Sequence, residues 1–131
     1  MVQKEFYNSE TGTTSTYTEV ILPEVVPVGD ITDLRVTHHY WKDSEGELWG
    51  DFEDPMENLR TDFAVYRARK HYLSPTQITL LRASLNKSVG QFAEMLNDKP
   101  SMITQMETNQ RIQTDEQERI LRTIANQFNV R

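Results

Sequence analysis

Three copies of one helix-start signal divide the second half of this 131-residue chain. In each copy a Ser or Thr is followed three residues later by Gln, as in Ser74–Gln77, Ser88–Gln91 and Thr114–Gln117. The hydroxyl of such a capping box accepts a hydrogen bond from a backbone N–H of the first turn, and the Gln side chain bonds back to the cap residue. Because an apolar run at helical spacing follows each box, each is predicted to begin a helix.

Together with a run headed by Pro100, the boxes predict helices over residues 75–85, 89–96, 101–108 and 115–127. Apolar side chains recur within them every three or four residues, which is the spacing of a buried helix face. The expected core consists of Ile78, Leu81, Leu85, Phe92, Met95, Leu96, Ile103, Met106, Ile120, Leu121, Ile124 and Phe128. A further helix is predicted to begin at Pro55.

The helix after Pro55 carries a basic cluster, Arg67, Arg69 and Lys70, in its last turn. Cations at this end complement the helix dipole, which is one interpretation of the cluster. The other interpretation is that these residues contact phosphate groups. The sequence does not decide between the two interpretations.

The first 54 residues are predicted to hold little regular structure. Residues 1–16 are rich in Ser, Thr, Asn and Gly, which favours a disordered arm. Residues 17–28 are β-branched but contain two prolines, which indicates an edge strand or an extended arm, not a central strand. Alternation around a turn sequence predicts a small β-hairpin over residues 34–52.

Acidic residues are concentrated at the front of the chain, although the net charge of the whole is only −6. Residues 1–57 hold three basic and thirteen acidic side chains, residues 58–73 four basic and one acidic, and residues 74–131 seven basic and six acidic. The helical part is therefore neutral to basic, and the two parts are expected to have different partners.

Several functional classes are disfavoured by the composition. The chain has no Cys, no apolar run of membrane-spanning length and no signal-peptide-like apolar region, so a cytoplasmic location is expected. Adjacent residues on a strand point to opposite faces, so His38 and His39 are not expected to share a metal ion, and no metal site is predicted. No nucleophile, phosphate-loop or dinucleotide motif is present, and neither enzyme activity nor a cofactor is predicted.

The segment LNKSVGQFAEMLNDKPSMITQMETN resembles the Xre or lambdoid-repressor type of helix-turn-helix. Asn97 and Asn109 replace two glycines of that family, and Asn tolerates the left-handed backbone better than most residues. The positions that match without a gap are Leu85, Ser88, Phe92, Ala93, Leu96, Ile103, Thr104 and Glu107. The resemblance implies a mostly α fold, a helix-turn-helix bundle of four to five helices with a small extended or β N-terminal region.

In that family the second helix of the motif enters the major groove of DNA. Gln105 is the favoured base-reading residue, since Gln can pair bidentately with adenine, whereas Glu107 is expected to brace the motif by pairing with Arg82 or Arg111. The residues that the resemblance assigns to DNA are Lys99, Pro100, Ser101, Met102, Thr104, Gln105, Asn109, Gln110 and Arg111.

The order of segments is also similar to that of MqsA-type antitoxins, which carry an A-Y-R helix before L-S-P-x-x-I-x-x-L-R. Here AVYR at 64–67 leads into LSPTQITLLR at 73–82. That resemblance implies a homodimer that represses its own operon and binds a protein toxin through the N-terminal region. The expected anchors for that partner are Tyr40, Trp41, Trp49 and Phe52. The front region differs from that family in having no cysteines for its zinc ribbon.

The sequence thus predicts three parts: an acidic N-terminal arm with a hairpin over residues 1–54, a connecting helix over 55–73, and a DNA-binding domain over 74–131. The predicted function is a sequence-specific transcriptional regulator that binds double-stranded operator DNA, with an autorepressing antitoxin as the favoured setting. A phage-type repressor and a protein-binding helical adaptor without DNA binding remain the alternatives.

Overall fold

In the computed structural model, residues 1–128 are described, and the chain divides into two compact units. A sheet unit covers Met1–Val65 and a helical unit covers Tyr66–Arg131. The boundary lies inside one continuous helix, Glu57–Lys70, which corresponds to the predicted connecting helix. The last three residues of the predicted DNA-binding domain, 129–131, fall outside the described part of the chain.

The sheet unit is built on a four-stranded antiparallel sheet whose strands follow one another in chain order. Its strands are β1 (Gln3–Asn8), β2 (Thr13–Val28), β3 (Ile31–Lys42) and β4 (Leu48–Trp49). Strands account for 28% of the chain and helices for 41%, so the predicted mostly α bundle is wrong. The sheet is a major element, and its first hairpin is polar and rich in Thr and Ser, a composition that also occurs in disordered segments.

Residues 1–16 form a hairpin and not the predicted disordered arm. β1 pairs with the first part of β2 over Gln3↔Thr18 to Asn8↔Thr13. The turn holds Gly12 at φ +71°, a left-handed backbone that glycine adopts without strain. Alternation buries Phe6 and Tyr17 on one face, and that burial stabilises a hairpin whose other face is exposed.

The two prolines of β2 lie in its second half, where β1 no longer runs alongside. Beyond Thr18 this strand pairs only with β3, and Pro23 lies opposite Thr37. Pro27 coincides with a shift of register between Val26 and Val28. Proline is tolerated at edges and irregularities because no ladder bond is lost there. Only Thr18 pairs with both β1 and β3, so the edge-strand prediction for residues 17–28 holds at all the other positions.

The predicted hairpin over residues 34–52 is confirmed, although its first strand begins earlier, at Ile31. β3 and β4 pair through Trp41↔Trp49, and the turn between them places Gly46 at φ +87°. The Asp43 side chain accepts hydrogen bonds from the backbone of Glu45 and Glu47 at 2.9 Å, which closes the turn.

Within residues 1–128, five helices follow the sheet: α1 (Glu57–Lys70), α2 (Pro75–Ser84), α3 (Val89–Met95), α4 (Pro100–Glu107) and α5 (Asp115–Gln127). All three predicted capping boxes are present, each with both reciprocal hydrogen bonds. Most predicted core residues pack together, with Phe92, Ile103 and Met106 fully buried. Phe128 is the exception, because it lies exposed at the end of α5. Among the described residues no helix is both long and apolar enough to span a bilayer.

Candidate nucleic-acid interface

The α3–turn–α4 segment has the geometry that the motif predicts. α3 begins at its Ser88 cap, and Asn97 follows it in the left-handed region at φ +53°. Pro100 then occupies the first turn of α4, where its missing N–H costs nothing. Ala93 is 1% exposed on α3, which packs closely on α4. A bulkier side chain at this position would force the two helices apart.

α4 buries one side and exposes the other. Ile103 and Met106 are completely buried in the helical core. The opposite side, here named the α4 edge, is formed by Lys99, Pro100, Ser101, Met102, Thr104 and Gln105. Four of these residues are exposed, whereas Met102 and Gln105 are half-buried. The edge thus presents short hydroxyls, one lysine and one amide to solvent.

Gln105 is held by a neighbour that the sequence did not suggest as its partner. Arg111 lies in the loop after α4, and its Nε donates a 2.8 Å hydrogen bond to the Gln105 Oε1. A carbonyl oxygen has two lone pairs, so the amide keeps one acceptor site and both of its N–H donors. The contact fixes the direction of the amide and places a positive charge beside it.

Asn109 combines a turn role with a structural contact. Its backbone is left-handed at φ +58°, as the replacement of a family glycine predicts. Its side-chain oxygen accepts a 2.5 Å hydrogen bond from Arg67. The oxygen is therefore used within the helical unit. Gln110 and Arg111, the other two predicted contacts after α4, are both exposed.

Glu107 braces the motif, and Arg82 is its partner. The Nε of Arg82 and one of its terminal nitrogens donate to the two carboxylate oxygens at 2.7 and 2.9 Å, a bidentate pair that joins α2 to α4. This hydrogen bond raises the pKa of Arg82, since it favours the charged guanidinium. The carboxylate is thus neutralised by its partner and adds little repulsion to the α4 edge.

For Arg67, the structure bears on whether the basic cluster at the end of α1 contacts phosphate groups. Arg67 is buried, and its guanidinium donates to Gln113 Oε1 at 3.0 Å and to the backbone carbonyl of Arg111 at 2.5 Å, besides Asn109. Burial lowers its pKa. Arg67 therefore holds the loop after α4 and does not face phosphate. The spacing from Arg67 to this loop exceeds forty residues, so no local pattern could have indicated the contact.

A second buried network joins the start of α2 to α5. Gln113 donates to the carbonyl of Leu73 at 2.8 Å and to Glu118 at 3.0 Å. Glu118 in turn accepts from the backbone N–H of Leu73 at 3.1 Å and from Arg122 at 2.7 Å. Within the described residues every buried side-chain nitrogen and oxygen has a partner. The scaffold behind the α4 edge is thus fully satisfied, which favours a single rigid arrangement.

In the sheet unit, the predicted partner anchors belong to its own packing. Trp41 is 2% exposed and lies edge-on to Phe6, with ring centroids 4.9 Å apart. Phe52 and Trp49 are half-buried against the same cluster. Tyr40 donates a 2.5 Å hydrogen bond to Glu24, and burial together with this bond raises its pKa to about 12.

The two histidines point to opposite faces of β3, as predicted, and each is held by carboxylates. On one face, His38 bonds to Glu24 at 2.9 Å and to Asp62 at 2.5 Å. On the other, His39 bonds to Glu19 at 2.9 Å and to Glu57 at 2.7 Å. Burial by itself would lower both pKa values, but the carboxylates outweigh it, so the pKa of each histidine is raised.

Comparison of the chain with protein-family models, with curated proteins and with solved structures found no match.

Proposed function

We propose that this protein is a sequence-specific DNA-binding transcriptional regulator that acts as a homodimer, in the setting of an autorepressing antitoxin. The observation that carries the proposal is the α4 edge. It is a row in which Lys99, Pro100, Ser101 and Thr104 face solvent, on a helix whose Ile103 and Met106 are completely buried. Such an edge fits the major groove, which is wide enough for an α-helix.

The surrounding charges support the same role. Lys99 and Arg111 lie at the two ends of α4, and both are exposed. Cations in these places would contact phosphates and set the position of the helix, while Gln105 between them would read a base edge. The one carboxylate of α4 is neutralised by Arg82. The excess acidity of the chain belongs to its first 57 residues and not to the helical unit.

A homodimer would place two α4 edges in successive major grooves, about 34 Å apart, on an inverted repeat. Autorepression predicts that such a repeat lies upstream of the gene for this chain. A regulator of this kind would work in the cytoplasm, where its operator is. The antitoxin setting adds a toxin partner for the sheet unit. A neighbouring gene for a toxic protein that this chain neutralises would favour the antitoxin setting. The absence of such a gene would favour a phage-type repressor.

The direct test is binding to a duplex from the upstream region, measured by fluorescence anisotropy over a series of salt concentrations. A DNA-binding dimer loses affinity steeply as salt rises, since each neutralised phosphate contributes a log–log slope of about −0.9. A protein-binding adaptor would show no sequence preference and no such slope. That result would contradict the proposal.

Gln105→Ala is expected to weaken binding to the upstream duplex by about 1–3 kcal/mol, which is roughly 5- to 150-fold, without changing the melting temperature. Lys99→Ala is the matched variant on the same edge. It should weaken binding to all duplexes equally and reduce the magnitude of the salt slope by about 2, because the homodimer has two copies of Lys99. Equal losses on upstream and scrambled duplexes for Gln105→Ala would exclude base reading by this residue.

A further inference from the structure

We infer that the sheet unit contains a metal site for a divalent transition ion, Zn²⁺ in the first instance, formed by His39, Asp51 and Glu57. This inference does not depend on the proposed DNA binding. Among the described residues these three side chains form the one group whose ligand atoms, a ring nitrogen and two carboxylate oxygens, all lie within 4.8 Å of one another.

The spacing of the donors fits a bound ion. The His39 Nδ1 lies 2.7 Å from Glu57 Oε1 and 3.8 Å from Asp51 Oδ2. Zn²⁺ binds nitrogen and oxygen ligands at about 2.0–2.1 Å, so tetrahedral geometry places its donors about 3.3 Å apart. The two observed distances lie on either side of that value. Small side-chain rotations would bring both carboxylates to coordination distance of one ion beside the imidazole.

The Nδ1 of His39 bonds to Glu57 Oε1 at 2.7 Å, so an ion would replace the proton shared by these two atoms, while the outer contacts hold the ligands in place. The other ring nitrogen of His39, Nε2, bonds to Glu19 at 2.9 Å, which is the carboxylate–histidine arrangement found behind metal-bound imidazoles. The backbone of His39 is clamped on both its N–H and its carbonyl by the Asn58 amide, each at 2.9 Å. The position of the ring is thus fixed before any ion binds.

Asp51 is oriented in the same way. Its Oδ1 accepts from the backbone N–H groups of Glu53 and Asp54, at 2.8 and 2.9 Å. Its Oδ2, the atom that faces His39, accepts from the Trp41 indole at 3.1 Å. One lone pair of Oδ2 remains for an ion. Three protein ligands on three different segments leave a fourth position for water.

Charge balance supports a cation at this point. The carboxylates of Glu19, Asp51 and Glu57 surround a single imidazole, so even a protonated His39 leaves a net charge of −2. A Zn²⁺ ion that displaces the Nδ1 proton changes this sum to −1. Imidazole and carboxylate donors together suit Zn²⁺ and Mn²⁺ better than the all-oxygen shell that Mg²⁺ and Ca²⁺ prefer.

The test is a calorimetric titration of ZnCl₂ into the untagged full chain after treatment with EDTA, with native mass spectrometry to count bound ions. We expect one Zn²⁺ per chain and a rise in the unfolding temperature of the sheet unit, because binding to the folded state stabilises it. Glu57→Gln and Asp51→Asn should each weaken the Kd for Zn²⁺ at least tenfold. Glu19→Gln should weaken it 10- to 100-fold through the outer shell.

Two control variants test whether Zn²⁺ binding is specific to the proposed site. Glu47→Gln removes an exposed carboxylate of the same unit, and His71→Asn removes an exposed histidine of the helical unit; neither should change the Kd. Trp fluorescence of every variant shows whether the sheet unit is folded. Failure of the wild-type chain to bind one equivalent of Zn²⁺ would overturn the inference. So would a Kd that is unchanged in folded Glu57→Gln and Asp51→Asn, or one that is lost equally in His71→Asn.

Discussion

Replacing Trp41 with alanine is expected to lower the free energy of unfolding of the sheet unit by about 3–5 kcal/mol. The indole is almost completely buried, packs edge-on against Phe6 and donates to Asp51. Truncation removes the packing, leaves a cavity and frees a carboxylate that was bonded. Only a small number of aromatic residues stabilise this face of the sheet. The expected decrease in the free energy of unfolding is therefore a large share of the total for a small unit.

Urea unfolding followed by the fluorescence of Trp49, the only other tryptophan, reports on the sheet unit. Tyr7→Ala is the matched control, since Tyr7 neighbours Phe6 on β1 but is 63% exposed. It should shift the midpoint little. If Trp41→Ala left the unfolding midpoint unchanged, Trp41 would not be a core residue, and its role as a partner anchor would regain support.

Replacing Arg67 with methionine is expected to destabilise the helical unit by about 3–5 kcal/mol. Methionine keeps much of the side-chain volume but removes every donor, so Gln113 Oε1, Asn109 Oδ1 and the Arg111 carbonyl lose their partner together. The loop after α4 would loosen as well. Affinity for DNA should therefore fall beyond what the population of unfolded protein explains.

The measurement is thermal and urea unfolding followed by the circular dichroism of the helices at about 222 nm, where the backbone of an α-helix absorbs. Arg119→Met is the matched control, because Arg119 is an exposed α5 residue whose side chain forms a 3.6 Å surface pair with Glu116. Such pairs contribute little to stability. Equal midpoints for Arg67→Met and Arg119→Met would show that the buried network does not hold the loop.

The helical unit could be predicted from the sequence because its signals are local. A capping box acts over three residues, and the three helices that carry one begin and end within about one residue of the predicted positions. α1, which has no such box, is shorter at both ends than the predicted helix over 55–73. The left-handed turns at Asn97 and Asn109 also follow from the matched motif. In each case the sequence pattern and the resulting contact lie within one small motif.

The sheet unit could not be predicted in the same way. Its β1–β2 hairpin is stabilised by cross-strand pairs, such as Phe6 against Tyr17, that form only once the register is set. The Ser and Thr residues around them suggested disorder, yet Thr is also a good strand residue. Composition alone does not separate the two.

Part of the candidate sites could likewise be predicted from the sequence, and part could not. Exposure of Lys99, Ser101 and Thr104 follows from helix periodicity, because their neighbours Ile103 and Met106 are buried. The Gln105–Arg111 contact and the carboxylates around His39 depend on loops and on separate strands. Glu19, Asp51 and Glu57 span almost forty residues, so no spacing rule links them to one histidine.

The central claim is that the α4 edge reads DNA sequence, and selection from a random duplex library tests it even while the operator is unidentified. The wild-type chain is expected to enrich an inverted repeat whose half-sites lie about 10 base pairs apart. Gln105→Ala should lose the preference at one base pair of each half-site while keeping the rest. Recovery of no common sequence by the folded wild-type chain, at any salt concentration at which it binds DNA, would contradict the account.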